Sequence, residues 1–169
     1  ERSEVAVQVE MQAAAGIRGL ASRLGQPAVS GEVQHMGLVR MPGEIEGRAI
    51  FRGITPAALE VHRDVRLVEG TYPRSGEVML GTLAHEALGV PVGTLTVGGT
   101  LGIEGQDFTI AGRFEAPGTV MESEIWFDRN GNVIAGSQGS ILVDRSHDGA
   151  AAFEVTLHFD RVRGLAKVD

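Results

Sequence analysis

Arg66-Leu-Val-Glu-Gly70, Gly76-Glu-Val-Met-Leu-Gly81, Leu88-Gly-Val-Pro-Val-Gly93, Phe108-Thr-Ile-Ala-Gly-Arg-Phe114 and Glu122-Ser-Glu-Ile-Trp126 follow one another in the stretch from Arg63 to Asp128. These are short apolar runs punctuated by glycine, the pattern of strands and tight turns. From Thr82 to Leu88, Leu83, Ala84, Ala87 and Leu88 share one helical stripe, with Thr82 placed to cap the start and Gly89 to take the left-handed position after the end. Thr94 to Val97, Thr100 to Ile103 and Phe108 to Phe114 alternate apolar with small or polar residues. Gly98-Gly99 and Gly105-Gln-Asp107 are the turns between them, so the pattern predicts a small antiparallel meander. Such a meander cannot bury both faces alone and must pack on something else.

On the N-terminal side, Ser3 to Ala15 carries both an alternating Val5, Val7, Val9, Met11 pattern and a run of helix formers, and is assigned to helix, ended by Gly16. Ile17 to Leu24 and Pro27 to Val39, separated by Gly25-Gln26, predict a hairpin. Met41-Pro-Gly43 is a turn, and Arg48 to Ile54 a strand closed by Thr55-Pro56. On the C-terminal side, Glu122 to Phe127 and Gly139 to Asp144 read as strands with Asn130-Gly131 turning between them, and Ala150 to Phe159 as a helix leading into Val162 to Val168.

A chain of 169 residues forms one compact unit, or two small ones sharing an interface. With 43% hydrophobic and 22% charged residues it is an ordinary folded protein rather than a disordered one. Its 24 glycines are roughly twice the average usage and favour a strand-rich, turn-rich fold. A formal charge of −7 opposes binding to nucleic acid or to an anionic membrane surface. No cysteine excludes a disulfide framework, a thiol nucleophile and a cysteine-ligated zinc, and fits an oxidising compartment. No run of about 18 apolar residues is present. Because the chain starts at Glu1 rather than Met, it is expected to be a segment of a longer one.

Few residues suggest chemistry. Glu122 and Glu124, two apart, would share one face of a strand about 7 Å from each other, within the carboxylate spacing of glycoside hydrolysis. Catalytic pairs of that kind come from segments facing across a cleft, and one Trp and one Tyr do not furnish a sugar groove. Hydrogen bonds or salt bridges that set a loop are the better reading of both. Trp126, between Ile125 and Phe127, is a core anchor or, alternatively, a partner contact. Asp128-Arg-Asn130-Gly-Asn132 opens like a calcium loop, but Val133 and Gly139 stand where glycine and glutamate are needed. His35, His62, His85, His147 and His158 lack metal-ligand spacing. Ser30, His35 and Asp64 form a triad on paper only, since no serine sits in a nucleophile elbow. Gly93 to Gly99 lacks the order of a dinucleotide loop.

The order and gaps of the five opening motifs resemble the extracytoplasmic domain of the MacB/FtsX-type ABC transporter permeases. The resemblance begins at Pro27-Ala-Val-Ser30 and Arg52-Gly-Ile-Thr-Pro56 and runs through Met121-Glu-Ser-Glu-Ile-Trp126, about two thirds of the chain. The positions that carry it are Arg52, Gly53, Glu69, Gly70, Glu77, Gly81, Gly93, Gly112, Glu122, Glu124 and Trp126. The resemblance implies an α+β fold, a mixed α/β membrane-proximal lobe at about 1–55 plus 120–169 and a smaller β-rich lobe inserted at about 56–119. It further implies a MacB-like periplasmic core domain with no enzymatic activity and no cofactor, held on the extracytoplasmic side of the cell membrane between two transmembrane helices. Its expected partners are those helices and the cytoplasmic ATPase subunits, with a second permease copy and a periplasmic partner as further candidates. Its expected task is mechanotransmission: coupling ATP-driven motion to export, lipoprotein release or a periplasmic partner. A secreted β-rich hydrolase using Glu122 or Glu124, and a free-standing periplasmic binding module, are the alternatives.

Overall fold

The computed structural model describes residues 29–129 throughout and, beyond them, the backbone of 22–23, 26–27, 138–143, 153–159 and 166–168. In chain order these form β1 (Ser22–Arg23), β2 (Gln26–Pro27), β3 (Val29–Met41), β4 (Ile45–Ile54), α1 (Ala58–Val61), β5 (Arg66–Gly70), β6 (Glu77–Gly81) and α2 (Ala84–Ala87). A 3-10 turn at Val92–Thr94, β7 (Thr100–Ile103), β8 (Gln106–Glu115), a second 3-10 turn at Val120–Ser123 and β9 (Ile125–Asp128) follow. β10 (Gln138–Val143), β11 (Phe153–Phe159) and β12 (Ala166–Val168) complete the order. Two compact units share them: 1–33 with 54–63 and 134–169, and 34–53 with 64–133.

In the first unit, β10, β11 and β12 are an antiparallel series in the order β12-β11-β10, with β10 next to β3. β1 and β2 pair through Ser22 with Pro27 and Arg23 with Gln26, a two-residue remnant of the hairpin read around Gly25-Gln26. The helix read over 150–159 is corrected to strand β11, whose Val155 pairs with Ile141 and whose His158 pairs with Lys167. Phe153, Val155, Leu157 and Phe159 alternate with period two in the sequence, and that period with β-branched neighbours outweighs the helix-forming residues around it. The helix assigned to 3–15 and the Asn130-Gly131 turn lie outside the described residues.

The second unit is a closed ring of six strands. The sheet runs β3-β4-β9-β6-β8, and β7 pairs with both β8 and β3, returning the last strand to the first. β7 bonds antiparallel to β3 through Val39 and Ile103 and to β8 through Leu101 and Phe108. β6 pairs antiparallel with β9 but parallel with β8. A parallel neighbour needs a long crossover, supplied here by the segment holding α2, the 3-10 turn and β7. The meander expected at 94–114 is corrected accordingly: Thr94 to Val97 is not a strand and Gly98-Gly99 is not a hairpin turn. Pro91 starts a 3-10 turn, Leu95 turns inward at 2% exposure, and only β7 and β8 form a hairpin. Its turn sits one position earlier than read, at Glu104 and Gly105, both with positive φ.

The large, fully buried side chains of this unit include Phe51, Leu80, Leu101, Ile110, Phe114 and Trp126, all under 2% exposed. β6 and β9 are buried on both faces, which accounts for their unbroken apolar sequence. Closure removes most edges. β5 is the exception, paired only to β8 at the end of the strand order and exposed along its whole length.

The α+β expectation survives only in its β-rich half: among the described residues the two α-helices have four residues each. The compact units also have different bounds from the lobe read at 56–119, because the β3–β4 hairpin from residue 34 to 53 belongs to the ring.

Candidate functional site

The most heavily built polar site lies in the second unit, where β4 and β9 are neighbours. Arg52 on β4 and Glu124 just before β9 form a two-pronged ion pair: Arg52 Nε donates to Glu124 Oε2 at 2.7 Å and Nη2 donates to Oε1 at 2.9 Å. Their side chains are 6% and 1% exposed. The Trp126 indole N–H donates to Glu124 Oε2 at 2.8 Å, and its ring lies 5.9 Å from the Arg52 guanidinium carbon and 4.4 Å from the Phe114 ring. Gln34 faces the guanidinium as well, and with its amide oriented to put the oxygen toward Arg52 it accepts from Nη2 and, at 3.1 Å, from Nη1. One carboxylate therefore holds three charge-assisted hydrogen bonds, the arrangement under which a buried charge is tolerated.

Glu124 reaches Trp126 because both are extended and two apart, so their side chains leave the chain on one side. Glu122 does not join them. Val120–Ser123 is a 3-10 turn, so the shared strand face expected for Glu122 and Glu124 is corrected: the two carboxylates belong to different backbone conformations and different partners. Glu122 accepts from Thr82 Oγ1 at 2.7 Å, which also corrects the role of Thr82, since α2 has no side-chain cap. Leu83 N–H donates to the Glu122 carbonyl at 2.8 Å. Gly81 is what lets the segments approach so closely: a Cβ there would run into the Glu122 carbonyl.

A second close approach unites Glu69, Gly70 and Gly112. Gly70 has φ +73, its added Cβ would strike the Ala111 carbonyl, and a Cβ on Gly112 would strike the Thr71 carbonyl. The glycines of the first and fourth motifs are thus two sides of one backbone contact, β5 against β8. Glu77 is elsewhere, at the start of β6, accepting from the Arg74 N–H at 3.0 Å. Gly93 has nothing within 4 Å of its added Cβ, and Gly53 is buried in β4 beside Arg52.

The first unit holds a polar cluster the sequence did not announce. Ser30 donates to Glu32 Oε1 at 2.9 Å, and the same oxygen lies 2.9 Å from His62 Nε2. Ser30 and Glu32 are 0% and 1% exposed. A glutamate between Gly31 and Val33 inside a predicted strand was the one available signal, and a weak one, since Ser30, Gln34 and His35 make the surrounding sequence mixed rather than apolar. The paper triad Ser30, His35 and Asp64 is not assembled: Ser30 serves Glu32, and His35 lies 3.2 Å from Glu104. Every buried carboxylate placed here is engaged by structural partners rather than aimed at an open cleft.

No family model matches the sequence, and no curated protein matches it. Solved structures do match. The periplasmic region of MacB from Actinobacillus actinomycetemcomitans superposes with a TM-score of 0.56 at 16% identity, over 88% of this chain and 66% of that one. The extracellular domain of the ABC-type transporter YknZ from Gram-positive bacteria gives 0.54 at 14% identity, over 73% of this chain and 62% of that one. A domain of a permease protein from Porphyromonas gingivalis gives 0.58 at 14% identity, over 85% and 69%. The chain has the fold of these three domains and spans about two thirds of their length.

Proposed function

We propose that the chain is a non-catalytic extracytoplasmic domain of an ABC transporter permease, which passes ATP-driven motion of the transmembrane helices to export, lipoprotein release or a periplasmic partner. The observation that carries this reading is the shared fold with three such domains. The disposition of Glu122 and Glu124 supports it against the hydrolase alternative. Glu124 is committed to Arg52 and Trp126 and Glu122 to Thr82, whereas a catalytic pair needs two carboxylates with free access to one reacting bond.

Among the described residues no helix is long and apolar enough to cross a membrane. In this reading the membrane attachment lies in the longer polypeptide, as an apolar helix of about 20 residues on each side of the domain. The domain then works as an element with more than one arrangement, biased by nucleotide binding on the far side of the bilayer.

Two measurements test this. The full reading frame is expected to encode the flanking helices; a secreted product with a cleaved signal and no spans would overturn the reading. In vesicles holding the full permease and its ATPase, replacing 1–169 by a short linker is expected to abolish transport while nucleotide still binds. Undiminished transport by that deletion would mean that the domain transmits nothing.

A further inference from the structure

We propose that the ring opens along one line, the β3–β7 seam, and that Arg40 is the strap that holds it shut. β7 has four residues and all four pair with β8, at Thr100–Thr109, Leu101–Phe108, Gly102–Asp107 and Ile103–Gln106. Toward β3 the same strand pairs at two, Val39–Ile103 and Arg40–Gly102. The β7–β8 join is also fastened by its tight turn at Glu104 and Gly105, whereas β3 and β7 are distant in sequence. A short ladder between distant segments is where a sheet opens locally, and the strand that leaves goes with the neighbour it is tied to. Val39 and Ile103 are 0% and 2% exposed, so opening wets apolar side chains and the open ring is the minor state. In that state β3 and β7 present strand edges that the closed ring keeps paired.

Gly102 shows how the seam is held. Its φ is not positive, so backbone freedom does not require a glycine there. An added Cβ would lie 2.9 Å from Arg40 Nε and 3.2 Å from Arg40 Cβ and Nη2, so the glycine leaves the space that the Arg40 side chain occupies. Arg40 is opposite Gly102 on β7, and Gly102 is opposite Asp107 on β8, which puts the three residues in one row across three strands. Arg40 Nη2 donates to Asp107 Oδ1 at 3.1 Å, so the arginine reaches over β7 and fastens β3 to the strand beyond it. The two side chains are 49% and 68% exposed, which makes the strap weak and releasable rather than a permanent clasp. His35 on β3 adds a second bridge to the same hairpin, its Nε2 3.2 Å from Glu104 Oε1.

The seam is a property of the ring and does not depend on the proposed transport role. The test is residue-resolved hydrogen exchange of the 169-residue chain at a single pH. In wild type, the amides of residues 39, 40, 102 and 103 that bond across β3–β7 are expected to exchange at least about tenfold faster than those of Val78, Met79 and Leu80 in β6, while the β7–β8 amides stay protected. Arg40→Met is expected to speed the cross-seam amides about two- to fivefold, the range of an exposed ion pair, and to leave β6 unchanged. Asp107→Asn is expected to do the same, and decides alone if Arg40→Met fails to fold. Combining the two is expected to add nothing, because either one already removes the strap. Cross-seam amides as protected as those of β6, a variant that leaves the seam unchanged or speeds every strand of the ring equally, or fully additive effects in the double variant would overturn the proposal.

Discussion

Arg52–Glu124 and Arg66–Glu115 are the same chemical pair at nearly the same distance, 2.7 and 3.0 Å, yet one is 6% and 1% exposed and the other 69% and 34%. The first sits among Trp126, Phe114 and Gln34; the second on the open β5–β8 edge. Coulomb attraction at such a separation is worth little in water and far more in a poorly solvated site, but the buried pair must also offset the loss of its hydration. The distance is therefore no guide to what each pair does. Burial makes each partner of Arg52–Glu124 dependent on the other, because either charge left alone would be buried unpaired, and exposure leaves Arg66–Glu115 a detail of the surface.

The sharpest way to break that contrast is to remove one half of the buried pair. Arg52→Met takes the charged partner from a carboxylate with 1% exposure and is expected to destabilise the domain by about 3 to 5 kcal/mol in urea unfolding. Adding Glu124→Leu is expected to restore much of that loss, because an apolar replacement of a whole buried pair is often neutral. A single variant within about 1 kcal/mol of wild type would place Arg52–Glu124 with the surface pairs.

Next in size is the indole donor. Trp126→Phe leaves a smaller aromatic ring against Phe114 and withdraws the 2.8 Å hydrogen bond to Glu124, with an expected cost of about 1 to 3 kcal/mol. Unfolding followed by circular dichroism measures it without relying on the sole tryptophan. No change in midpoint would mean that Arg52 alone satisfies the carboxylate.

Thr82→Val is expected to cost less, about 0.5 to 1.5 kcal/mol, because it deletes one hydrogen bond to a half-buried Glu122 that can turn to solvent. This variant separates the two glutamates that the sequence presents as a pair. Equal losses from Thr82→Val and Arg52→Met would show that Glu122 and Glu124 are held alike.

Much of the ring was legible in sequence. The apolar runs at 77–81, 100–103 and 108–114, the turn at Met41-Pro-Gly43 and the strand up to Thr55-Pro56 carry their own period and punctuation, so the strands appear where that local pattern puts them. Residues 94–97 do not, because their alternation is overridden by Pro91 and by the burial of Leu95. The parallel β6–β8 pairing was not legible at all: register between distant strands follows from which apolar faces meet, and no local period records that. The site divides in the same way. Glu124 beside Trp126 is a local relation that the sequence displays, whereas the partners Arg52, 72 residues away, and Thr82, 40 residues from Glu122, depend on closure of the ring. Ser30, Glu32 and His62 escaped notice because histidine and glutamate 30 positions apart form no motif.

The smallest effect is expected at the exposed end of the comparison. Arg66→Ala removes a 3.0 Å ion pair whose guanidinium side chain is 69% exposed, so water and salt already screen most of its attraction and two long side chains no longer have to be held in one geometry. Stability of the monomer is expected to change by less than about 1 kcal/mol, and by less still at 1 M salt, where the screening length falls to about 3 Å. The measurement is the urea midpoint at low protein concentration. A loss comparable to that of Arg52→Met, persisting in high salt, would mean that the β5–β8 edge is desolvated in solution and that exposure does not separate the two pairs.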